Sequence, residues 1–470
     1  MFAGTSRVTH GRRVAVVGAG AAGLTAALRA AEGGAWVTLL NAHPRIGLKI
    51  LMSGGTRCNV THREVSERDF NGGSRPFVRR VLAAFPPDET RDWLESLGVE
   101  LKLEPTGKYF PVTDDAHTVL DALVRAVEQA GVRVEAGARV VRLERAPAAI
   151  PAGGADAEDR RRAGEMRTGV DAPSPRFRLG IQTVRDSAEL ARGVGARGIA
   201  EWPLPAVEPH RWLEADALIV ATGGLSFPRT GSDGTGYALV AALGHTLEPP
   251  IPALTPLTAD DALCRAAQGV TLDAELTLRT SGERPVTVRG SLLFTHFGYS
   301  GPAALDLSRH WLRAEGSRER RVTANFLPGE RVETLFDAWR EAAAREPRAG
   351  LRRMLGRSLP DRIAVELCGE AGIEATRPLS QVTREERGRL ARSLCERPLP
   401  VTGTLGYEKA EVTAGGVRLS EVDPSTLESR VVPGLYLCGE ILDVEGRLGG
   451  FNFQWSWSSG TVGGRSAAAS

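Results

Sequence analysis

The stretch VAVVGAGAAGL, from Val14 to Leu24, decides the fold class of this chain. Its first four residues are small and apolar, as in a strand buried on both faces, and the GxGxxG spacing that follows is typical of a tight turn before a helix. An Ala- and Leu-rich helix over Leu24–Ala31, two glycines and the apolar run Trp36–Leu40 would complete a βαβ unit. The pattern predicts an α/β fold with a doubly wound, Rossmann-like sheet.

Each glycine of this turn has its own role in a nucleotide-binding fold. Gly18 allows the sharp bend, Gly20 lets a pyrophosphate approach the backbone, and Gly23 lets the helix pack against the strand. The free N–H groups and partial positive charge of the helix N-terminus would then face the phosphates. About 20 residues later such a motif places an acidic residue on the ribose hydroxyls, and this chain has Asn41 there. We therefore predict nucleotide binding with a weaker hold on the ribose.

A second glycine-rich segment, GLYLCGEILDVEGRLGGFNFQWSWSSG, occupies Gly434–Gly460. It begins as a buried strand, turns at Gly439 and Glu440, and reaches a Gly-Gly pair that opens a helix at Phe451. Glu440 and Asp443 would bond the sugar-alcohol chain of a flavin, or would instead cap the following turn. The helix N-terminus would favour negative charge on the flavin ring when the ring is reduced. A cofactor held by both glycine-rich segments predicts non-covalently bound FAD.

The segment KILMSGGTRCN, Lys49–Asn59, is expected to line the same cofactor. Gly54 and Gly55 permit close approach of the backbone to a flat ring or a phosphate. Arg57 could reach a phosphate or stabilise the negative charge of reduced flavin. For Cys58 we favour a small buried residue over a redox role.

The composition excludes several classes of function. The chain has 470 residues, a formal net charge of +2, 42% hydrophobic and 25% charged residues. This balance gives no electric field that would favour nucleic acid or an anionic membrane. The five cysteines are scattered without a CxxC pair, which indicates reduced thiols and argues against a disulfide reductase. Histidines lack metal-ligand spacing, and no apolar run has the length of a membrane span. We predict a cytoplasmic protein without a metal, a membrane anchor or a nucleic-acid partner.

Changes in periodicity divide the chain into parts. Beyond residue 250, alternating apolar residues indicate sheet or barrel strands, and a helical pattern with a capping box at Thr383 and Glu386 follows. The predicted domains, in chain order, are a first FAD-binding part (residues 1–249, with irregular surface insertions at about 146–209), an inserted β-barrel-like domain (250–330), a small helical domain (331–404) and a second FAD-binding part (405–470).

Taken together, these segments resemble the BaiN/YhiN-type flavoproteins, a family also known as aminoacetone-oxidase-like or NAD(P)/FAD-dependent oxidoreductases. The SGGxRCN and GGFNFQW pieces are the most specific. Outside the insertions, the matching pieces follow in family order over nearly the whole chain. Before the C-terminal segment they are VAVVGAGAAGL, KILMSGGTRCNVT, GKYFP, VATGG, FPRTGSDGTGY, LFTHFGYSGPAAL and VTAGGV.

The resemblance implies a two-dinucleotide-binding-domain type FAD fold with an inserted barrel-like domain and a small helical domain. It places the backbone of Val140 at the adenine, and it leaves Leu48 where an arginine is expected. The motifs and the resemblance together predict this cofactor-binding set: Gly18, Gly20, Ala21, Ala22, Gly23, Asn41, Ala42, Lys49, Ser53, Gly54, Gly55, Arg57, Cys58, Asn59, Val140, Ala221, Thr222, Gly223, Gly439, Glu440, Asp443, Gly450, Phe451, Asn452, Phe453 and Gln454.

The leading functional hypothesis is a FAD-dependent oxidoreductase that transfers hydride between a small organic substrate and flavin N5, with the flavin recycled by NAD(P)H or oxygen. No second nucleotide fingerprint is convincing, so NAD(P)H would dock only transiently. The family is linked both to reducing unsaturated steroid-like acids and to oxidising an aminoketone, so the resemblance does not transfer a substrate.

The catalytic proton donor and the class of substrate stay open. His296, Tyr109 and Tyr299 are the candidate donors, and for His296 a purely structural hydrogen bond is the favoured interpretation. One alternative is a flavoprotein that modifies RNA, which would need a basic stripe that the sequence lacks. The other is a non-catalytic flavin-binding protein.

Overall fold

The structure is a computed structural model that describes residues 11–145, 176–186 and 207–469. The first predicted surface insertion and most of the second lie outside the described residues. The chain divides into two compact units: unit 1 is Met1–Pro250 with Ala414–Ser470, and unit 2 is Ile251–Thr413. The finer division of unit 2 at about residue 330 stays a prediction.

Strands and α-helices follow one another along the described residues. The strands are β1 (Arg13–Val17), β2 (Trp36–Asn41), β3 (Thr61–His62), β4 (Phe70–Gly72), β5 (Leu101–Leu103), β6 (Lys108–Pro111), β7 (Arg133–Ala136), β8 (Ala138–Arg145), β9 (Phe177–Thr183), β10 (Arg211–Ala215), β11 (Ala217–Val220), β12 (Leu247–Ala253), β13 (Leu257–Ala259), β14 (Thr271–Thr280), β15 (Val286–Thr295), β16 (Gly298–Ser300), β17 (Arg320–Asn325), β18 (Arg397–Leu399), β19 (Val401–Thr404), β20 (Val412–Val417), β21 (Leu435–Leu437) and β22 (Val444–Gly446). The α-helices are α1 (Ala21–Glu32), α2 (Leu48–Met52), α3 (Arg75–Ala84), α4 (Pro87–Ser96), α5 (Ala116–Gln129), α6 (Thr235–Ala242), α7 (Ala262–Ala266), α8 (Pro302–Arg313), α9 (Val332–Arg345), α10 (Leu351–Leu355), α11 (Asp361–Glu370), α12 (Arg384–Cys395) and α13 (Phe451–Ala469).

The core of unit 1 is a five-stranded parallel sheet with the order β21-β11-β1-β2-β7. The central strand is β1, and its residues Val14 to Val17 are at most 6% exposed, because the sheet is covered on both faces. With α1 between β1 and β2, the predicted βαβ unit is confirmed. Because the strands are parallel, their carboxyl ends lie at one edge, which we call the carboxyl edge. The segments that follow β1, β2, β11 and β21 therefore start side by side.

Helix α13 packs against α1 and so brings the two glycine-rich segments into one core. A Cβ on Gly460 would lie 2.5 Å from the carbonyl oxygen of Ala22, and one on Gly464 would lie 2.4 Å from that of Ala26. Backbone atoms cannot move aside in a packed interior, so only glycine fits at these two contacts. The helix begins at Phe451, as the Gly-Gly pair predicts.

Unit 2 contains a seven-stranded antiparallel sheet with the order β18-β17-β14-β15-β16-β13-β19. Only Pro400 separates its two edge strands in the chain, so the sheet has to curl towards a barrel. Burial alternates along β14, as its apolar pattern predicts. The capping box of Thr383 and Glu386 begins α12, which confirms that prediction as well.

A buried ion pair ties the sheet of unit 2 to its helices. The guanidinium of Arg397, on β18, donates to both carboxylate oxygens of Asp261 at 2.7 and 2.8 Å. It also donates to Glu370 at the end of α11. Arg397 holds the pKa of Asp261 below its usual range although burial acts in the opposite direction. The network fixes the strand, the helix and the loop before α7 to one another.

Neither a membrane-spanning helix nor a metal-binding cluster is present among the described residues. Within residues 11–145, 176–186 and 207–469, no helix is both long and apolar enough to cross a membrane. In the same ranges, no group of three or more His, Cys, Asp or Glu side chains is placed to hold a metal ion. The cytoplasmic location stays a prediction.

Candidate cofactor-binding site

The turn after β1 leaves one glycine facing open space. A Cβ on Gly18, whose φ is +105°, would lie 2.4 Å from the carbonyl oxygen of Ala221, and one on Gly23 would lie 1.7 Å from that of Gly18. A Cβ on Gly20 would have no atom within 4 Å. Gly18 and Gly23 are therefore required by protein packing, whereas Gly20 borders a space that a ligand can fill.

Helix α1 begins beside that space without a capping side chain. Gly20 is its N-cap residue, and the first turn, which includes Ala21 and Ala22, contains no acidic residue. The N–H groups of this turn and the positive end of the helix dipole are thus available to an anion. Together with the open face of Gly20, this arrangement fits a pyrophosphate.

Asn41 ends β2 at the same edge and bonds only to the protein backbone in the described contacts. Its Oδ1 accepts from the N–H of Ala19 at 3.0 Å, inside the glycine-rich turn. Its Nδ2 donates to the carbonyl oxygens of His43 at 2.7 Å and Arg45 at 3.2 Å. Asn41 thus lies at the position expected for a ribose-binding residue, and Ala42 follows it. Both of its amide donors are already used.

Three polar side chains from distant segments form a cluster at the carboxyl edge. Lys49 Nζ, on α2, lies 2.7 Å from Ser226 Oγ and 2.8 Å from Glu440 Oε2. Ser226 donates to the second carboxylate oxygen of Glu440 at 3.0 Å. Tyr237 extends the cluster through its hydroxyl, which donates to the Glu440 carbonyl oxygen at 3.4 Å. The carboxylate of Glu440 is therefore held in one orientation where the segments after β2, β11 and β21 meet.

Ser226 and Tyr237 are absent from the residues predicted from sequence. Both belong to or border the segment FPRTGSDGTGY, which carries the family resemblance. Their position in or beside this segment was the only sequence feature that could have indicated a role in the site. A single serine or tyrosine in a polar loop indicates no particular chemistry.

The segment after β11 also has an unsatisfied polar atom. Thr222 Oγ1 is buried and has no hydrogen-bond partner among the described residues. It follows Ala221, which is 6% exposed, and precedes Gly223, whose φ is +73°. The hydroxyl packs against Gly236 of α6, where a Cβ would lie 1.8 Å from Thr222 Oγ1, and contact of Thr222 with the cofactor stays a prediction. Val140, the residue predicted at the adenine, is buried in β8.

The segment around Asn59 connects to the start of α13. With its amide oriented to satisfy its neighbours, Asn59 accepts from the N–H of Gly450 at 3.0 Å and donates to the carbonyl oxygen of Thr61 at 3.0 Å. Thr61 donates to Gln454 Oε1 at 2.6 Å, and Gln454 Nε2 donates to Phe85 O at 2.9 Å. These side chains join the two segments, and Gln454 is fully buried by doing so. Their contact with a flavin stays a prediction.

Other residues of the predicted set have protein partners as well. Arg57 pairs with Glu104 at 2.7 Å and lies over the ring of Phe110, 4.0 Å from its centroid, so its charge is already compensated. Cys58 is completely buried, and this burial raises the pKa of its thiol to about 12. Ser53 donates its hydroxyl to the carbonyl oxygen of Ile50. Arg57 thus forms an ion pair with Glu104, and its contact with a phosphate or with the flavin stays a prediction.

Gly54 and Gly55 of the same segment differ in their surroundings. A Cβ on Gly54 would lie 2.9 Å from the N of Asn59, while one on Gly55 would meet nothing within 4 Å. Gly54 is thus required by the turn itself. Gly55 faces open space, which is what close approach of a ligand needs.

The last predicted contacts lie around the turn before α13. Asp443 is 7% exposed, and its carbonyl oxygen accepts from the N–H of Gly73 at 3.0 Å. Asn452 bonds both the N–H and the carbonyl oxygen of Gly446, at 2.7 and 2.9 Å. The ring of Phe451 is buried, and that of Phe453 stacks on Trp457 with centroids 5.5 Å apart. Gly439 lies close to α1, since its Cβ would be 2.8 Å from that of Ala22.

The candidate proton donors do not share one element. His296 and Tyr299 belong to unit 2, and Tyr109 lies half-buried on β6 of unit 1. Tyr299 is fully buried and donates its hydroxyl to Asp261, and burial raises its pKa far above the usual range. A hydroxyl held in this way cannot reach a substrate. His296 lies between β15 and β16 with its ring edge-on to Phe297.

The comparison with known proteins assigns the family. The sequence profile of the HI0933-like protein Rossmann domain matches residues 12–155 and 204–466. The chain belongs to the HI0933-like family. A 3-dehydro-bile acid delta(4,6)-reductase from Clostridium scindens is 31% identical over 460 residues, which cover 97% of this chain and 99% of that relative. A ribosomal RNA dihydrouridine synthase from Escherichia coli is 31% identical over 447 residues, which cover 94% of this chain and 95% of that relative.

A solved structure of low similarity extends over the same length. The 3-ketosteroid-delta4-(5alpha)-dehydrogenase from Rhodococcus jostii is 16% identical, with a TM-score of 0.42 over 99% of both chains. For the HI0933-like protein described here, the predicted family and the predicted class, an FAD-dependent oxidoreductase with a Rossmann-like α/β fold, are confirmed. Which residues touch the cofactor stays a prediction.

Proposed function

We propose that this HI0933-like protein binds FAD at the carboxyl edge and adds hydrogen across a carbon–carbon double bond that is conjugated to a carbonyl group. The substrate would be a small organic molecule. In this direction NAD(P)H supplies the hydride and becomes NAD(P)⁺, while the substrate gains one hydride and one proton. If the protein instead oxidises its substrate, oxygen would accept the electrons from the reduced flavin.

The names of two relatives support this reaction class. One denotes reduction at the 4 and 6 double bonds of a 3-oxo compound, and the other denotes formation of dihydrouridine. Both products arise when two hydrogens add across a double bond conjugated to a carbonyl. Relatives that are equally similar to this chain thus share a reaction and differ in the molecule that carries the double bond. The reaction is therefore the part that we extend to this chain.

The observation that carries the proposal is the open face of Gly20 at an uncapped helix N-terminus. The N–H groups of α1 would hold the pyrophosphate of FAD, with Gly20 as the point of closest approach. Glu440, oriented by Lys49 and Ser226, would accept hydrogen bonds from the sugar-alcohol chain.

The chain would also shape the chemistry of the ring. When bound, FAD supplies a group that accepts hydride from one partner and donates it to the next. The first turn of α13 has no acidic residue, and its N-terminal dipole favours negative charge nearby. Asn59, bonded to Gly450, fixes the position of that helix end.

A single substitution tests the cofactor site. We expect Gly20→Asp to fold normally, because its Cβ meets no atom and aspartate is a favoured N-cap residue. The new carboxylate would repel the pyrophosphate, so the purified variant would lack the yellow colour of bound FAD. Gly369→Asp is the matched control, since a Cβ there also meets nothing within 4 Å. A Gly20→Asp protein that stays as yellow as Gly369→Asp would refute the assignment.

The reductant is tested by anaerobic titration of the holoprotein with NADH and NADPH. Bleaching of the flavin bands, followed by recovery on addition of a conjugated enone, is the expected result. Bleaching by neither nucleotide would favour the alternative of a non-catalytic flavin-binding protein.

RNA is the second candidate substrate, because the Escherichia coli relative matches over 95% of its own length. The same double-bond reduction would then take place on a uracil ring. Incubation of the reduced holoprotein with ribosomal RNA, followed by nucleoside mass spectrometry, measures dihydrouridine directly. A salt-dependent gel shift with RNA would add support, whereas turnover of a free enone with no change in RNA would favour the small-molecule substrate.

A further inference from the structure

The first residue of α13 follows two glycines, which cannot fix its position by themselves. Gly449 and Gly450 have φ values of +137° and +92°, a region that favours glycine. A Cβ on Gly450 would lie 2.8 Å from the carbonyl oxygen of Thr61, so this path has no room for a larger residue. Glycine is also the most flexible residue. The start of α13 at Phe451 therefore needs other contacts to hold it in place.

Two side chains pack against the ring of Phe451 and supply such contacts. The imidazole ring of His62 stacks on it, with centroids 5.0 Å apart and an interplanar angle of 23°. The guanidinium of Arg447 lies over the same ring, 4.2 Å from its centroid. Phe70 meets the ring with its edge, at a centroid distance of 6.3 Å. The ring is fully buried among these neighbours, so the helix start cannot move without breaking its contacts with His62 and Arg447.

Both packing partners are themselves fixed to other segments of unit 1. Arg447 donates its Nε to Asp69 Oδ1 at 2.8 Å and its backbone N–H to the carbonyl oxygen of Asp69 at 2.9 Å. In the tautomer protonated at Nε2, His62 donates to the carbonyl oxygen of Thr106 at 3.1 Å. Phe451 is thus tied through Arg447 to the residue before β4, and through His62 to β3 and the turn before β6.

The positive end of α13 acts over a short range, so its position matters. The first turn of the helix contains no acidic residue, and the effect of a helix dipole falls off within one turn. The charge of Arg447 is balanced by Asp69, and the side chain of Arg447 is 48% exposed. A shift of the helix start would therefore change the electrostatics at a neighbouring ring more than the exposed charge of Arg447 does directly.

We propose that Arg447 and His62 are positioning residues, which act through the ring of Phe451 to hold the start of α13 towards the flavin. The proposal rests on the proposed function, which brings this helix end to the ring of FAD. It goes further by naming two residues that raise the reduction potential of the bound flavin. Neither residue belongs to the cofactor-binding set predicted from sequence.

The test measures the reduction potential of the flavin in the purified holoprotein by titration against a redox dye. A displaced helix end stabilises the negative charge of reduced flavin less, so Arg447→Gln and His62→Gln should each lower the potential. We expect the ratio of reduced to oxidised flavin at a fixed potential to fall about threefold, which is about 14 mV for a two-electron couple.

Arg178→Gln is the matched control for Arg447→Gln. Arg178 is also a partly exposed arginine of unit 1, with one carboxylate partner, Glu144, and with its guanidinium 4.7 Å from the ring centroid of Trp212. Its replacement removes the same charge and the same kind of contact on β9, and it should leave the potential of the flavin unchanged.

A double-mutant cycle tests whether Arg447 acts through the ring. Phe451→Leu removes the ring without changing a charge, and it should lower the potential by itself. In the Phe451→Leu protein, Arg447→Gln should cause no further decrease. The shift should also persist as salt increases, because salt screens a direct effect of an exposed charge and not a displacement of the helix.

The outcomes separate this inference from the proposed function. If Arg447→Gln and His62→Gln keep the wild-type potential, the inference is overturned, and an undiminished effect of Arg447→Gln in the Phe451→Leu protein overturns it as well. Urea unfolding checks that each variant is folded, and His62→Gln decides alone if Arg447→Gln does not fold. Wild-type protein that binds no FAD would instead show that the proposed function is wrong.

Discussion

Lys49 and Glu440 form an ion pair, with Lys49 Nζ 2.8 Å from Glu440 Oε2, although 391 positions separate them in the chain. Their side chains are 24% and 17% exposed, so the pair is partly shielded from water. Ser226 bonds to both partners and keeps the carboxylate oriented. The pair thus links a short helix after β2 to the turn after β21, at the edge where we propose that the cofactor binds.

Replacing Lys49 tests the importance of this pair. Lys49→Gln would leave the carboxylate of Glu440 without its counter-ion, and Glu440 would turn towards water and away from the cofactor. We expect FAD affinity to fall about tenfold and the free energy of unfolding to fall by about 1 kcal/mol. Fluorescence titration of the flavin-free protein and urea unfolding measure the two effects.

Lys409→Gln provides the matched control, because Lys409 is exposed and belongs to unit 2. It should bind FAD like the wild type. If Lys49→Gln also binds FAD like the wild type, Glu440 does not depend on this pair for its orientation.

The contact between α13 and α1 makes a second prediction. In Gly464→Ala the new Cβ would lie 2.4 Å from the carbonyl oxygen of Ala26, so the two helices would have to separate. We expect the free energy of unfolding to fall by about 2 kcal/mol or more. Gly369→Ala, in open space on α11, should instead raise it by about 0.5 kcal/mol through helix propensity. Equal effects of the two substitutions would show that this helix contact is not tight.

The buried ion pair between Arg397 and Asp261 in unit 2 leads to a third prediction. Arg397→Met would leave Asp261, whose side chain is 3% exposed, as an unpaired buried charge. Breaking a buried pair in this way costs about 3 to 5 kcal/mol of unfolding free energy. Arg352→Met removes a comparable two-point contact from an exposed pair with Asp361, and its effect should be far smaller. Chemical denaturation measures the free energy of unfolding of both variants. Similar losses in the two variants would show that burial does not make the Arg397–Asp261 pair more important for stability than the exposed pair.

Cys58 leads to a fourth prediction, which decides whether this residue is a small buried side chain or has a redox role. All five cysteines are free and buried, and burial raises the pKa of Cys58 to about 12. Because the thiolate is the reactive form, a thiol reagent at pH 8 should label none of them in the native protein and all five after unfolding. Cys58→Ala should keep the wild-type rate of flavin reduction, as should the control Cys368→Ala. Loss of reduction in Cys58→Ala alone would revive a redox role.

The sequence predicts the parts of the site that depend on local chain geometry. The turn at Gly18–Gly23 and the helix start at Phe451 follow from glycine spacing, because only glycine permits such close backbone approach. The capping box of Thr383 and Glu386 is equally local. Each of these features is set by residues a few positions apart, and each is therefore visible in the sequence.

Features that depend on tertiary contacts could not be predicted in the same way. Nothing local indicates that Lys49 meets Ser226 and Glu440, or that Arg57 is neutralised by Glu104. Nothing local indicates either that the amide of Gln454 bonds Thr61 and Phe85 inside the core. Such partners are chosen by packing between distant segments, so a residue's type and spacing do not reveal them.

The pairing of α1 with α13 has a consequence for synthesis on the ribosome. Trp457 donates its indole N–H to the carbonyl oxygen of Val60, 397 positions earlier. At the usual pace of translation, the early βαβ unit waits roughly 20 to 80 s for its covering helix to emerge. Throughout that delay the face of α1 that α13 covers in the folded protein stays open to water, so we expect the nascent chain to expose apolar surface of the kind that chaperones bind.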